Sequence, residues 1–184
     1  MVSVQCRCGQ AFDVKQHPEN PFWKFSLAVY GRAGVPQACL GLQASHGADV
    51  NLLLYVCWLS SRGIVLSRED IAMAAAAVED WHQDVVVALR RVRTGLKEGY
   101  EGLDREIGEP YREKVKRMEL EAEQLEQAML FALPISDRPA ATDEVDREAL
   151  CRTALSSCLA IRSDAPGDES FIRTIAAAAV SGSG

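Results

Sequence analysis

The chain has almost no strand signal. A weak one covers residues 1–5, and no later stretch alternates apolar and polar residues over a strand's length, which argues against a sheet-built fold. It also lacks a membrane span. The apolar run at residues 52–59 covers about 12 Å as a helix, against a hydrocarbon core of about 30 Å, and Asp49 and Arg62 bracket it. The opening MVSVQCRCGQ has neither a basic start nor an apolar stretch behind it, so export is not expected. Without export, the six cysteines are expected to stay reduced in a cytoplasm. Positive charge is not in excess: the formal net charge is −6, which argues against bulk nucleic-acid binding and leaves room for a local basic patch.

What is present suits one globular domain with room for a tail: 184 residues, of which 48% are apolar and 25% charged. Helix punctuation is dense. Asn20-Pro21 caps and opens a helix to about Tyr30, with Gly31 and Gly34 behind it. Val35-Pro36 opens a second, stopped by Gly47, and Asp49 caps a third that ends near Gly63. That third helix is apolar on every face, which predicts a helix surrounded by protein.

Ser67-Arg68-Glu69-Asp70 resembles a capping box with aspartate in place of glutamate. The spacing predicts one long helix over 68–98, with a seam at Ile71, Ala75, Val78, Trp81, Val85, Leu89, Val92 and Leu96. After a glycine-rich connection, a second long helix is predicted from Pro110 to about 133. Its seam is Tyr111, Val115, Met118, Ala122, Leu125, Met129 and Ala132. Two long helices so joined predict an antiparallel hairpin.

Residues 134–142 read as a linker, Thr142 as the cap of a helix to about Ile161, and 168–180 as a last short helix. The expected division is an N-terminal arm (1–19), a helical core domain (20–133), the linker, and a C-terminal helical segment (143–184). The fold class is all-α, with short helices packed on the long hairpin.

The stretches NPFWKFSLAVYGRAGV and ACLGLQASHGADVNLLLYVCW are distinctive. Over residues 20–97 the chain resembles a family of short bacterial proteins known only as a conserved domain of unknown function. The resemblance implies a helical protein of the bacterial cytoplasm. It carries over no activity, cofactor or functional residue.

Charge is unevenly spread. Residues 90–117 hold nine basic and six acidic residues, whereas 118–150 hold two basic and nine acidic. Arg90, Arg93 and Lys97 share one face near the end of the first long helix, and Arg112, Lys114, Lys116 and Arg117 open the second. An antiparallel hairpin brings them together. Such a patch could hold an anion or an acidic protein partner; the plain alternative is a solvated face, with acids interspersed and cations suiting a helix C-terminus.

Cys6, Cys8 and His17 are the only metal-like spacing read from the sequence, and they are weak: one residue separates the cysteines and no second pair follows, so no metal is expected. Cys57 sits in an apolar run, where a thiol is an inert small hydrophobe. Trp81-His82 with Glu79 and Asp84 offers a histidine and carboxylates without a nucleophile.

The leading expectation is a non-enzymatic adaptor or regulatory protein acting through protein–protein contacts at the basic hairpin end, without a cofactor. The alternative is a small-molecule or lipid binder whose apolar pocket is lined by Trp23, Tyr30, Tyr55 and Trp58, or else those aromatics are core.

Overall fold

Six helices begin on a side-chain oxygen that accepts a hydrogen bond from a free amide of the first turn, which is how a short polar residue turns chain into helix. In the computed structural model, which describes residues 4–5, 11–12, 19–141 and 146–181, these oxygens belong to Asn20, Asp49, Ser67, Asp104, Asp146 and Asp168. They open α1 (Pro21–Tyr30), α3 (Val50–Ser61), α4 (Arg68–Trp81), α6 (Arg105–Phe131), α7 (Arg147–Leu159) and α8 (Glu169–Val180). α2 (Val35–His46) lies between two glycines in the left-handed region, Gly34 at φ +82° and Gly47 at φ +62°. α5 (Ala88–Glu98) continues from α4 through a π-helical turn, His82–Val87. The fold is all-α; the strands described are a two-residue antiparallel pair, Val4–Gln5 with Ala11–Phe12.

α3 is the axis of the molecule. Every residue from Asn51 to Ser61 is buried, as an all-round apolar helix requires. α7 lies along it, placing Cys151, Leu155, Cys158 and Leu159 in the same core, and α8 packs on α2 and α7. Phe22, Tyr55, Trp58 and Phe131 form an aromatic stack beside α3, with centroids 5.2 to 6.0 Å apart.

The long hairpin is present and differs from the sequence reading in three ways. First, the helix over 68–98 is not uniformly α. The π turn adds a residue, so the seam slips by one: Val86 is fully buried, Val85 only half, and Val92 is 42% exposed. Second, α6 begins at Arg105, because Asp104 caps it, and Pro110 lies inside it. The amide that proline lacks would have met the carbonyl of exposed Glu106, which solvent can satisfy. Third, the α6 seam is buried only in part. Val115, Ala122 and Met129 face the protein, while Tyr111, Met118 and Leu125 are 58%, 54% and 40% exposed.

The stretch read as a linker is packed in its described part. Pro134–Asp137 makes one 3₁₀ turn with Ile135 and Ser136 buried. Arg62 donates to the Ser136 carbonyl at 2.6 Å, and the Tyr55 hydroxyl lies 2.8 Å from Ser136 Oγ. Arg138 grips Asp70 with two hydrogen bonds of 2.8 and 2.9 Å. That guanidinium holds the Asp70 carboxyl below its ordinary range despite some opposing burial. Thr142, Cys6, Cys8 and His17 lie outside the described residues.

Candidate functional site

Asp49 does two things at the start of α3. Its Oδ1 accepts from the Asn51 amide at 2.8 Å, the cap expected from the sequence. Among the described residues its Oδ2 finds no hydrogen-bond partner, although the residue is 2% exposed. Facing that oxygen at 3.6 Å is Nδ1 of His82, the residue that opens the π turn. The same nitrogen lies 3.1 Å from Oε1 of Glu126, which α6 carries into the interior at 0% exposure. Asn51 Nδ2 donates to the other Glu126 oxygen at 2.9 Å, and Gln127 Nε2 donates to Asn51 Oδ1 at 2.8 Å. Two carboxylates, one imidazole and two amides thus form a single buried network between α3, the π turn and α6.

The electrostatics follow from burial. Loss of solvent, with the Glu126 charge close by, pushes the Asp49 carboxyl up to about 8. Burial pulls His82 down, but its hydrogen bond to Glu126 and the charges of Asp49 and Glu126 outweigh this and raise it. Asp49, His82 and Glu126 each offer one ligand atom, all within 4.8 Å of one another.

Beside this network a cleft of about 280 Å³ opens between α1, α2, α3, α5 and α6. Trp23, Leu27 and Tyr30 of α1, Leu40 of α2, Leu54 of α3 and Leu120 of α6 form its apolar lining, and Asn51 and Gln127 also line it. Arg90 and Arg93 reach it from α5 but are held by acids. Arg90 bonds Glu119 at 3.1 Å and Glu123 at 2.7 Å; Arg93 bonds Glu119 at 2.5 Å. Two side-chain atoms in this lining, Ser26 Oγ and Gln127 Oε1, are buried and have no hydrogen-bond partner among the described residues.

The four aromatics read as one pocket therefore separate. Trp23 and Tyr30 are half-buried on the cleft wall, whereas Tyr55 and Trp58, at 1% and 6% exposure, belong to the core stack. Trp58 is further covered by the Arg62 guanidinium at 4.8 Å. The pattern of apolar aromatics did not reveal which ring belonged to which layer.

The basic residues meet as the hairpin required: Arg93, Lys97, Arg112, Lys116 and Arg117 surround a shallow depression that Glu109, Glu113 and Glu119 share. Arg112 is tied to Glu109 and Glu113, both at 2.5 Å. Arg90, Arg93 and Arg112 are thus spoken for; Lys97 and Arg117 are exposed, and Lys116, also exposed, lies 3.7 Å from Glu113.

Sequence reasoning considered Asp49 as a cap and His82 beside Glu79 and Asp84, and it missed Glu126. Glu79 instead pairs with Arg162 from beyond α7. One signal was available: Glu119 and Glu126 each follow a buried seam residue, Val115 or Ala122, by four positions, so both turn toward the protein side of α6.

A family profile matches residues 21–130, from the first residue of α1 to nearly the end of α6. The chain belongs to this family, described as Protein of unknown function (DUF2390). The family segment contains Asp49, His82, Glu126 and the whole lining of the cleft, while α7 and α8 lie outside it. No curated protein and no solved structure matches the chain. Among the described residues, no helix is long and apolar enough to cross a membrane.

Proposed function

We propose that this protein is a non-enzymatic binder of a small amphipathic molecule, held in the cleft between α1, α2, α3, α5 and α6. The observation that carries this reading is a pair of buried oxygens in the lining, Ser26 Oγ and Gln127 Oε1, that have no hydrogen-bond partner among the described residues and lie among the apolar side chains of the cleft. Buried polar atoms are nearly always satisfied, so unmatched acceptors at a cleft mark places where a ligand's donor groups fit. Leu27, Leu40 and Leu120, each more than half exposed, supply apolar contact at the cleft. Arg90 and Arg93 stand at the rim paired to Glu119 and Glu123, so an acidic group on the ligand would bind there by exchanging with one of those carboxylates.

Anilinonaphthalene sulfonate combines such an acidic group, an N–H donor and fused rings, and serves as a probe. The folded protein is expected to bind it saturably with a fluorescence gain. Leu40→Glu puts a charge on the wall without touching the core and is expected to weaken binding about tenfold, roughly 1.4 kcal/mol. Native mass spectrometry of freshly purified protein is expected to show an added small-molecule mass that the variant loses. Equal probe binding by both proteins would sink the reading.

A second reading is action through protein contacts, favoured by the exposed half of the α6 seam. Tyr111, Met118 and Leu125 recur every seven residues, with exposed Lys114 and Glu121 on one flank. The occupant that fits is a second copy of the chain. A two-fold axis beside Met118 sets Tyr111 against Leu125 and Lys114 near Glu121 of the other copy. Light scattering is expected to report a dimer that Met118→Asp converts to a monomer; a monomeric parent protein would exclude this mode.

A further inference from the structure

We propose that Asp49, His82 and Glu126 bind one divalent transition-metal ion, joining α3, the π turn and α6 through a centre of two carboxylate oxygens and one imidazole nitrogen. The site lies behind the cleft and does not rest on the ligand reading above.

Spacing comes first. His82 Nδ1 lies 3.1 Å from Glu126 Oε1 and 3.6 Å from Asp49 Oδ2. Ligands each about 2.1 Å from a common ion, at angles near 90° to 120°, lie roughly 3.0 to 3.6 Å apart. Charge comes second. A divalent cation takes the place of the protons held by Asp49 and His82, which leaves two carboxylates and a neutral imidazole to balance its charge in a site where no member is more than 5% exposed. Third, Asp49 Oδ2 is buried and unpartnered, and it faces the imidazole. That oxygen has no partner within hydrogen-bond distance among the described residues, which leaves it able to ligate.

The surroundings hold the ligands in place. Asn51 Nδ2 occupies Glu126 Oε2, which leaves Oε1 directed at the centre, and Gln127 fixes Asn51 in turn. Asp49 Oδ1 is pinned by the α3 amide, which aims Oδ2 inward. His82 is the first residue of the π turn, and such turns recur at functional sites. The mixed oxygen and imidazole set suits zinc, manganese or ferrous iron over the softer ions that thiolates select. With three protein ligands, remaining positions fall to water.

The test uses the full chain, stripped with a chelator and titrated separately with zinc chloride and manganese chloride by calorimetry and thermal melting. Binding of one ion per chain is expected, with a melting shift of about 5 to 10 °C at a hundredfold excess over Kd. Asp49→Asn and Glu126→Gln are each expected to lose at least tenfold in affinity with helical circular dichroism intact. A Cys6→Ser, Cys8→Ser double variant is expected to bind as the parent does. Should the ligand variants fail to fold, cobalt loading of the parent protein decides. Visible d–d bands without a thiolate charge-transfer band support the site, whereas a thiolate band places the ion on cysteine and overturns it. Absence of binding in the parent, or undiminished binding in Asp49→Asn, overturns it as well.

Discussion

Leu53→Asp is expected to abolish soluble folding. Leu53 is fully buried in α3, whose neighbours are α1, α2, α4, α6, α7 and α8. Losing the leucine side chain costs about 2–5 kcal/mol by itself. Placing an unpaired carboxylate there adds a penalty of several kcal/mol, because the helix has no solvent-facing side to which the charge can turn. Together these approach or exceed the 5–15 kcal/mol that holds a typical domain folded. Leu27→Asp on α1 is the matched control: Leu27 is 55% exposed, and the same change there is expected to leave a soluble, cooperatively melting protein. The readout is soluble yield with circular dichroism. A folded Leu53→Asp protein would show that α3 is not enclosed as described.

Breaking the buried network from one side is expected to cost nearly as much. Glu126→Ala removes the acceptor for His82 Nδ1 and Asn51 Nδ2 and leaves both buried. Unfolding by urea in the presence of a chelator, so that no ion contributes, is expected to show a loss of about 3–5 kcal/mol. Replacing the whole set behaves differently. Asp49→Asn keeps an oxygen for the α3 cap, and His82→Leu with Glu126→Leu replaces two polar groups by apolar ones of similar bulk, leaving Asn51 Nδ2 as the one donor that loses its acceptor. That triple variant is expected to lie within about 2 kcal/mol of the parent, since burying matched apolar groups avoids the desolvation that the polar set suffers. A triple variant as weak as Glu126→Ala would mean the polar network itself holds α3 to α6. A stable triple variant that binds no metal would mean the network is kept for chemistry at some expense of stability.

How much of this was legible depended on the range of the interactions. Caps are local: Asn20, Asp49, Ser67 and Asp168 announce their helices because the amides they satisfy lie within three residues. The enclosure of α3 was legible for a related reason, since a helix with no polar face can only be inside. The α4 seam at Ile71, Ala75 and Val78 was legible by period. Beyond Trp81 the period misled, because a π turn changes the phase without leaving a composition signature. The α6 seam misled differently. Periodicity gives the width of an apolar stripe, and the number of neighbours available to cover it is a tertiary quantity. The network is the extreme case: Asp49, His82 and Glu126 are separated by 33 and 44 residues, and each has an ordinary local explanation as a cap, a helix polar residue or a salt-bridge candidate. Only the packing of three elements brings them together.

The π turn also lets one rod serve two partners. An uninterrupted helix over residues 68–98 would present a single apolar stripe, suited to one continuous wall. One surplus residue rotates everything downstream by about 100°. α4 can then face α7 and α6 while α5 faces α6. The turn works as a phase shifter, and His82 stands at the step. Any force that straightened the rod would therefore unseat Val86 and shift the turn against α6, the helix whose Glu126 meets His82. The geometry of the site and the registry of the hairpin are settings of one dial.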